Sequence, residues 1–196
     1  MKPSFLQKLF CRIPELEGER ILLRRIRHAD AEDMYEYSRL EEVTRYLLWS
    51  PHPNPEHTKN YIAYLQSEYR DGRLYDWAIV LKESGKMIGT VGFPTIRATD
   101  SAAEIGYVLN PAYHHRGYAR EAVRLIIDFA FQKLALHRIE ARCFRENDAS
   151  RRLLLDLGFR FEGRARDGLR IKGKFETIDS FAILTDDWSH FKGRLS

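Results

Sequence analysis

The chain has 196 residues, of which 44% are hydrophobic and 31% charged, a balance that fits one soluble domain with a sizeable core and excludes a disordered chain. Its net charge of +4 suits an anionic ligand, an acidic partner or RNA, or a plain scatter of surplus arginine. Two distant cysteines, Cys11 and Cys143, exclude a disulfide framework and a cysteine-based zinc site, and no apolar stretch approaches the roughly 20 residues of a membrane span.

Residues 1–15 read as an N-terminal extension. Their apolar run from Phe5 to Phe10 is too short and too charged for a secretory signal, so the expected compartment is the cytoplasm. Arg20 to Ile26 predicts a first strand, and Asp30 caps a helix carrying Met34, Tyr35 and Tyr37. Pro51, Pro53 and Pro55 force a loop, after which a helix runs from about Glu56 to Arg70. Trp77–Leu81 and Met87–Phe93 predict two strands joined by a turn at Glu83–Lys86, followed by a strand over Ala103–Leu109 that Asn110-Pro111 ends. A helix from Gly117 to about Leu134 places Ala122, Val123, Ile126, Phe129 and Ala130 at helical spacing. Arg138–Cys143 alternates as a strand, Ala149–Leu157 is a short helix closed by Gly158, and Phe159–Glu162 and Ser180–Thr185 are the last strands. This order predicts an α/β fold, a sheet with helices on both faces but without the repeating pattern of a doubly wound domain.

Two constellations carry chemistry. In Tyr113-His114-His115-Arg116-Gly117-Tyr118-Ala119-Arg120, a glycine turn opens a helix and directs backbone N–H groups outward at the positive end of its dipole, an arrangement that suits a phosphate or pyrophosphate. Taken alone, it is equally a plain helix start. It lacks the Gly-Lys-Ser/Thr of a Walker loop and the three spaced glycines of a dinucleotide fingerprint. Downstream, Asn147 caps a helix with Ser150 in its first turn, and both can face a ligand at the preceding strand end.

Together these residues resemble the GNAT superfamily of acyl-CoA-dependent N-acyltransferases. Residues 114–119 match its pyrophosphate loop, (Arg/Gln)-x-x-Gly-x-(Gly/Ala), with His114 at the Arg/Gln position, and Asn147, Ser150, Leu153 and Gly158-Phe159 match the motif that follows. The opening Leu16–Arg24 and the closing segments Gly173–Glu176 and Ser180–Leu184 with Trp188 are similar to the branch that acetylates the N-termini of ribosomal proteins.

The resemblance implies a single GNAT-like domain over 16–190, with a mixed, mostly antiparallel, splayed sheet flanked by helices on both faces. Acetyl-CoA would be the acyl-donor cosubstrate, and no metal is implied. Its pantetheine arm would pair with Tyr107, Val108 and Leu109. Its pyrophosphate would lie on the loop His114, His115, Arg116, Gly117, Tyr118, Ala119 and Arg120, with Asn147 and Ser150 alongside. With histidine at 114, the cradle rests on backbone N–H groups.

Glu104 is the candidate general base, directly or through a water, with a solvent-facing strand residue as the alternative. A backbone N–H near Val108 would hold the developing oxyanion, and Ser150 would donate a hydrogen bond to the departing sulfur. By the same resemblance Tyr46, Trp49 and His52 would border the acceptor groove, with core packing the stronger reading for Tyr46 and an equal one for Trp49. Cys143 reads as a buried thiol, and His114-His115 have no partner at metal-ligand spacing.

The activity implied is N-acetylation of a primary amine, with a protein N-terminus as the leading acceptor, ribosome association as a corollary, no membrane partner, and a monomer or homodimer. A small amine (antibiotic, polyamine or amino acid) is the alternative acceptor. A non-catalytic CoA- or RNA-binding regulator is the alternative class. Five basic residues in the hairpin 164–174 fit a solvated loop, an acidic acceptor or ribosomal RNA.

Overall fold

Strands β1 (Leu16–Glu17) and β2 (Ile21–Arg24) begin an eight-stranded sheet in a computed structural model that describes residues 3–193. Strands β3 (Asp76–Leu81), β4 (Met87–Arg97) and β5 (Ala102–Leu109) follow in antiparallel order. Strand β6 (Arg138–Phe144) lies parallel to β5, and the hairpin of β7 (Arg160–Ile171) and β8 (Lys174–Leu184) completes the order β6-β8-β7. The fold is the mixed, mostly antiparallel sheet flanked by helices that the sequence predicts.

The parallel pair needs a crossover, which the helix Tyr118–Gln132 supplies. In chain order the helices are α1 (Pro3–Cys11), α2 (Ala31–Ser38), α3 (Glu41–Thr44), α4 (Pro55–Arg70), α5 (Tyr118–Gln132), α6 (Asp148–Asp156) and α7 (Thr185–Gly193). In α5, Ala122, Val123, Ile126, Ile127, Phe129 and Ala130 are buried, the stripe expected from their spacing. Helix α4 starts one residue before the predicted position, with Pro55 in its first turn and the Asn54 side chain accepting from the His57 N–H at 2.8 Å.

Neighbouring residues on β3 face opposite sides of the sheet. Trp77 is fully buried against Phe10 of α1 and Phe129 of α5, at ring separations of 5.7 and 5.5 Å. Asp76 faces the other side, where α2 and α4 enclose a cavity.

Helix α3 is absent from the sequence reading and β4 runs on past Phe93 to Arg97, but two departures are larger. Residues 3–11 form a helix, and its Leu6 and Phe10 enter the core, each burial contributing about 2 kcal/mol. The last hairpin also extends much further than 159–162 and 180–185, pairing up to Ile171↔Lys174. Lys172 and Gly173 turn it at φ 49° and 83°.

The feature that positions the site is an interrupted ladder. Pairing of β5 with β6 runs from Ala102↔Arg138 to Ile105↔Ala141 and stops, while β6 stays paired with β8 as far as Phe144↔Ile178. Beyond Ile105 the two strands splay, and one backbone edge of Gly106–Leu109 is left without a strand partner.

Candidate active site

The helix entrance at α5 is built by backbone conformation and one clamp. His115 (φ 59°) and Gly117 (φ 81°) both take left-handed conformations, and the first helical bond runs from the Glu121 N–H to the Gly117 carbonyl at 3.0 Å. The N–H groups of Tyr118, Ala119 and Arg120 therefore precede any intrahelical acceptor and are free for an anion. Arg20 holds this turn: its Nη1 donates to the Arg116 carbonyl at 2.8 Å, and its Nε to Glu121 Oε2 at 3.0 Å. Glu121 Oε1 also accepts from the Arg20 N–H at 2.8 Å, and the guanidinium lies 4.7 Å from the Tyr118 ring centre. His114, at the motif's basic position, bonds through Nε2 to the Leu109 carbonyl at 3.1 Å. With a carbonyl as acceptor, that nitrogen carries the proton, and the side chain ties the loop to the end of β5.

A cavity of about 670 Å³ runs from this turn along the open edge of β5. Its walls include Tyr107, Val108, Leu109, His114, His115, Gly117, Tyr118, Ala119, Arg120, Asn147 and Ser150. Arg116 lies outside those walls, its guanidinium 5.7 Å from the Tyr113 ring centre. The register sharpens which backbone groups are available. The Asn110 N–H bonds the Ile88 carbonyl, so Val108, two residues back in the same ladder, points its N–H at Thr90. The N–H groups of Tyr107 and Leu109 face the open edge.

Ser150 stands at the junction. Asn147 Oδ1 accepts from the Ser150 N–H at 3.1 Å, fixing the first turn of α6. Ser150 Oγ lies 2.8 Å from the Tyr107 phenol, which burial keeps protonated well above the usual range. Burial also pushes the Cys143 thiol up to about 11, against an opposing hydrogen bond from Ser150.

A second cavity of about 330 Å³ opens from the same junction, sharing Tyr46, Leu47, Tyr107, Val108, Asn147 and Ser150 with the first. It collects Glu104, Trp49 and His52 with Tyr46. Glu104 is held by Arg142, which donates Nε and Nη2 to its two oxygens, each at 2.9 Å. His52 is buried; its Nδ1 lies 3.0 Å from Ser38 Oγ and 2.8 Å from Thr58 Oγ1. Burial, then the nearby His57, lowers it to about 4, so it is neutral at physiological pH. Tyr46 packs on Phe144 at 5.6 Å and donates to the Glu146 carbonyl at 3.1 Å, and Trp49 lies 5.3 Å from His52.

The family pattern described as Acetyltransferase (GNAT) domain matches residues 20–160. The chain belongs to the GNAT acetyltransferase family. It is 34% identical to the uncharacterized N-acetyltransferase p20 of Bacillus licheniformis, over 89% of this chain and 98% of that protein. It is 25% identical to the [ribosomal protein uS5]-alanine N-acetyltransferase of Escherichia coli, covering 89% and 92% of the two chains. The crystal structure of the ribosomal-protein-S5-alanine acetyltransferase from Vibrio fischeri superposes with a TM-score of 0.71 at 30% identity, covering 89% of this chain and 98% of that one. The protein is an acetyl-CoA-dependent acetyltransferase of GNAT type, and the orphan N–H groups at α5 and the open β5 edge fit that cosubstrate.

The sequence motifs pointed to the loop at the start of α5 and to Ser150, which share one cavity wall. They missed the Tyr107 phenol, the Arg20–Glu121 clamp and Asp76, a further wall residue of the second cavity. The first two involve partners separated by 43 and 101 residues, so no local spacing signals them.

Proposed function

We propose that this GNAT acetyltransferase transfers acetyl to a primary amine, with the α-amine of a protein N-terminus as its acceptor. The observation that carries this reading is the meeting of two cavities, one ending in a phosphate cradle and one lined by aromatic and acidic side chains, at Tyr107 and Ser150. The similarity to enzymes named for ribosomal-protein alanine acetylation supports the acceptor class. An α-amine, with a reference pKa near 8, needs far less help to become a free nucleophile than a lysine near 10.4.

Acetyl-CoA supplies a thioester, and its acetyl passes to the amine nitrogen as the carbon–sulfur bond breaks. In this reading, the open-edge N–H groups of Tyr107 and Leu109 polarise the carbonyl oxygen. Ser150, hydrogen-bonded to Tyr107, donates toward the leaving sulfur. Glu104 receives the amine's proton through a water, since Arg142 already occupies one lone-pair direction on each of its oxygens.

The test is mass spectrometry of protein N-termini in cells with and without the gene, paired with in vitro transfer to Ala- and Ser-initiated peptides, spermidine and tobramycin. Gene-dependent N-terminal acetylation and peptide turnover are expected. Transfer confined to the small amines would replace the acceptor, and transfer to none would end the enzymatic reading.

A further inference from the structure

Asp76 begins β3, and its carboxylate lies over Gly92 of β4, where any Cβ would collide with Asp76 Oδ1. Gly92 is in turn paired with Gly106 of β5. Asp76, Gly92 and Gly106 thus form one row across three strands, on the face that looks into the smaller cavity. The register places the Asp76 Cα about 10 Å from the Gly106 Cα. Pro94 covers Gly106, and the row leads from Asp76 to the point where β5 loses its β6 partner.

The carboxylate has no cation and no hydrogen-bond donor among the described residues. Glu104, on the same face, differs: Arg142 neutralises it. His52 is neutral. The lining therefore carries one uncompensated negative charge, close to the Tyr61 phenol, in a cavity whose walls also include Tyr37 and Trp49. Burial alone lifts the Asp76 carboxyl to about 6. Asp76 is half-buried and its unpaired carboxylate reaches the cavity, and such a group in a cleft marks a site that a ligand completes.

We propose that Asp76 is the acceptor-binding residue of the smaller cavity, taking the single ammonium of a primary amine against its carboxylate. This rests on the N-acetyltransferase reading and narrows it. One unpaired carboxylate in a cavity with aromatic walls fits a monocation such as a peptide N-terminus, whose first side chain meets apolar walls. The second and third ammonium groups of a polyamine or an aminoglycoside find no further unpaired anion there.

Two measurements on the full chain test it. The first is steady-state kinetics of Asp76→Asn with an Ala-initiated tripeptide, alongside calorimetric titration with acetyl-CoA. The expected result is a KM for peptide raised tenfold or more, kcat within threefold, and unchanged acetyl-CoA affinity. An unchanged peptide KM in the folded variant overturns the assignment. The second is NMR titration of the Asp76 carboxyl in the wild-type protein, with and without the same peptide. Bound ammonium should lower the midpoint by about one pH unit, and a midpoint the peptide does not move also overturns it. If the wild type acetylates none of the peptides or small amines while the midpoint still moves, the transferase reading fails and the ammonium site stands.

Discussion

Ser150 Oγ lies 2.8 Å from the Tyr107 phenol, and the Ser150 backbone is fixed by the Asn147 cap. One hydroxyl thus links a half-buried tyrosine on β5 to the first turn of α6 at the junction of the two cavities. The pair can pass a proton toward a leaving thiolate as a unit, because each oxygen both donates and accepts.

Ser150→Ala and Tyr107→Phe should each lower kcat about tenfold, a modest loss because a thiol with pKa near 8.5 already leaves readily. Acting as one relay, the double variant should lose little more than either single one. Pre-steady-state transfer kinetics with calorimetric acetyl-CoA titration provide the check. A double variant losing the full product of the two effects would show two independent donors.

Arg20→Ala should raise the acetyl-CoA Kd roughly tenfold, about 1.4 kcal/mol, while leaving kcat at saturation nearly unchanged. The reason is positional: Arg20 holds the Arg116 carbonyl and Glu121 together behind the loop, and the loop's N–H groups do the binding. Glu121→Gln should give a smaller loss of the same kind. Titration calorimetry decides it, and an Arg20→Ala variant binding acetyl-CoA normally would remove the clamp from the binding argument.

Asp76 and His52 should pull acid stability in opposite directions. The folded chain withholds from His52 a proton that the unfolded chain binds, so stability falls by up to about 3 kcal/mol as pH drops from about 6.5 to about 4. Asp76 keeps a proton that the unfolded chain releases, so its penalty of similar size is fully present above about 6 and is relieved toward about 4. The groups facing them are the Tyr61 and Tyr69 phenols beside Asp76 and the His57 ring beside His52. Asp76→Asn should raise the Tm at pH 7.5 and make it fall more steeply on acidification than the wild type. Parallel melting curves at every pH from 4 to 8 would refute this.

The parts of the site legible in the sequence were those encoded locally. Gly117 at a helix start and Asn147 three residues before Ser150 each carry their meaning within one turn. The apolar stripe of α5 and the strand alternations likewise gave the sheet and its helices. Helix α1 escaped notice because nine residues offer only two or three apolar turns, and what holds it is Phe10 against Tyr75, Trp77 and Phe129. The outer hairpin escaped for the opposite reason: from Arg164 to Gly168 every side chain is exposed, so alternation leaves no apolar trace. Asp76 is a single acidic residue at a strand end, and only the glycine opposite it and the missing cation give it significance.

The interrupted ladder between β5 and β6 has a mechanical consequence. Four residue pairs, from Ala102↔Arg138 to Ile105↔Ala141, carry all the strand pairing between the N-terminal five strands and the C-terminal three. The cleft is therefore also the seam of the sheet. A ligand lying along the free edge of β5 and touching the start of α6 would bridge the two halves, so filling the cleft staples the domain across its narrowest join.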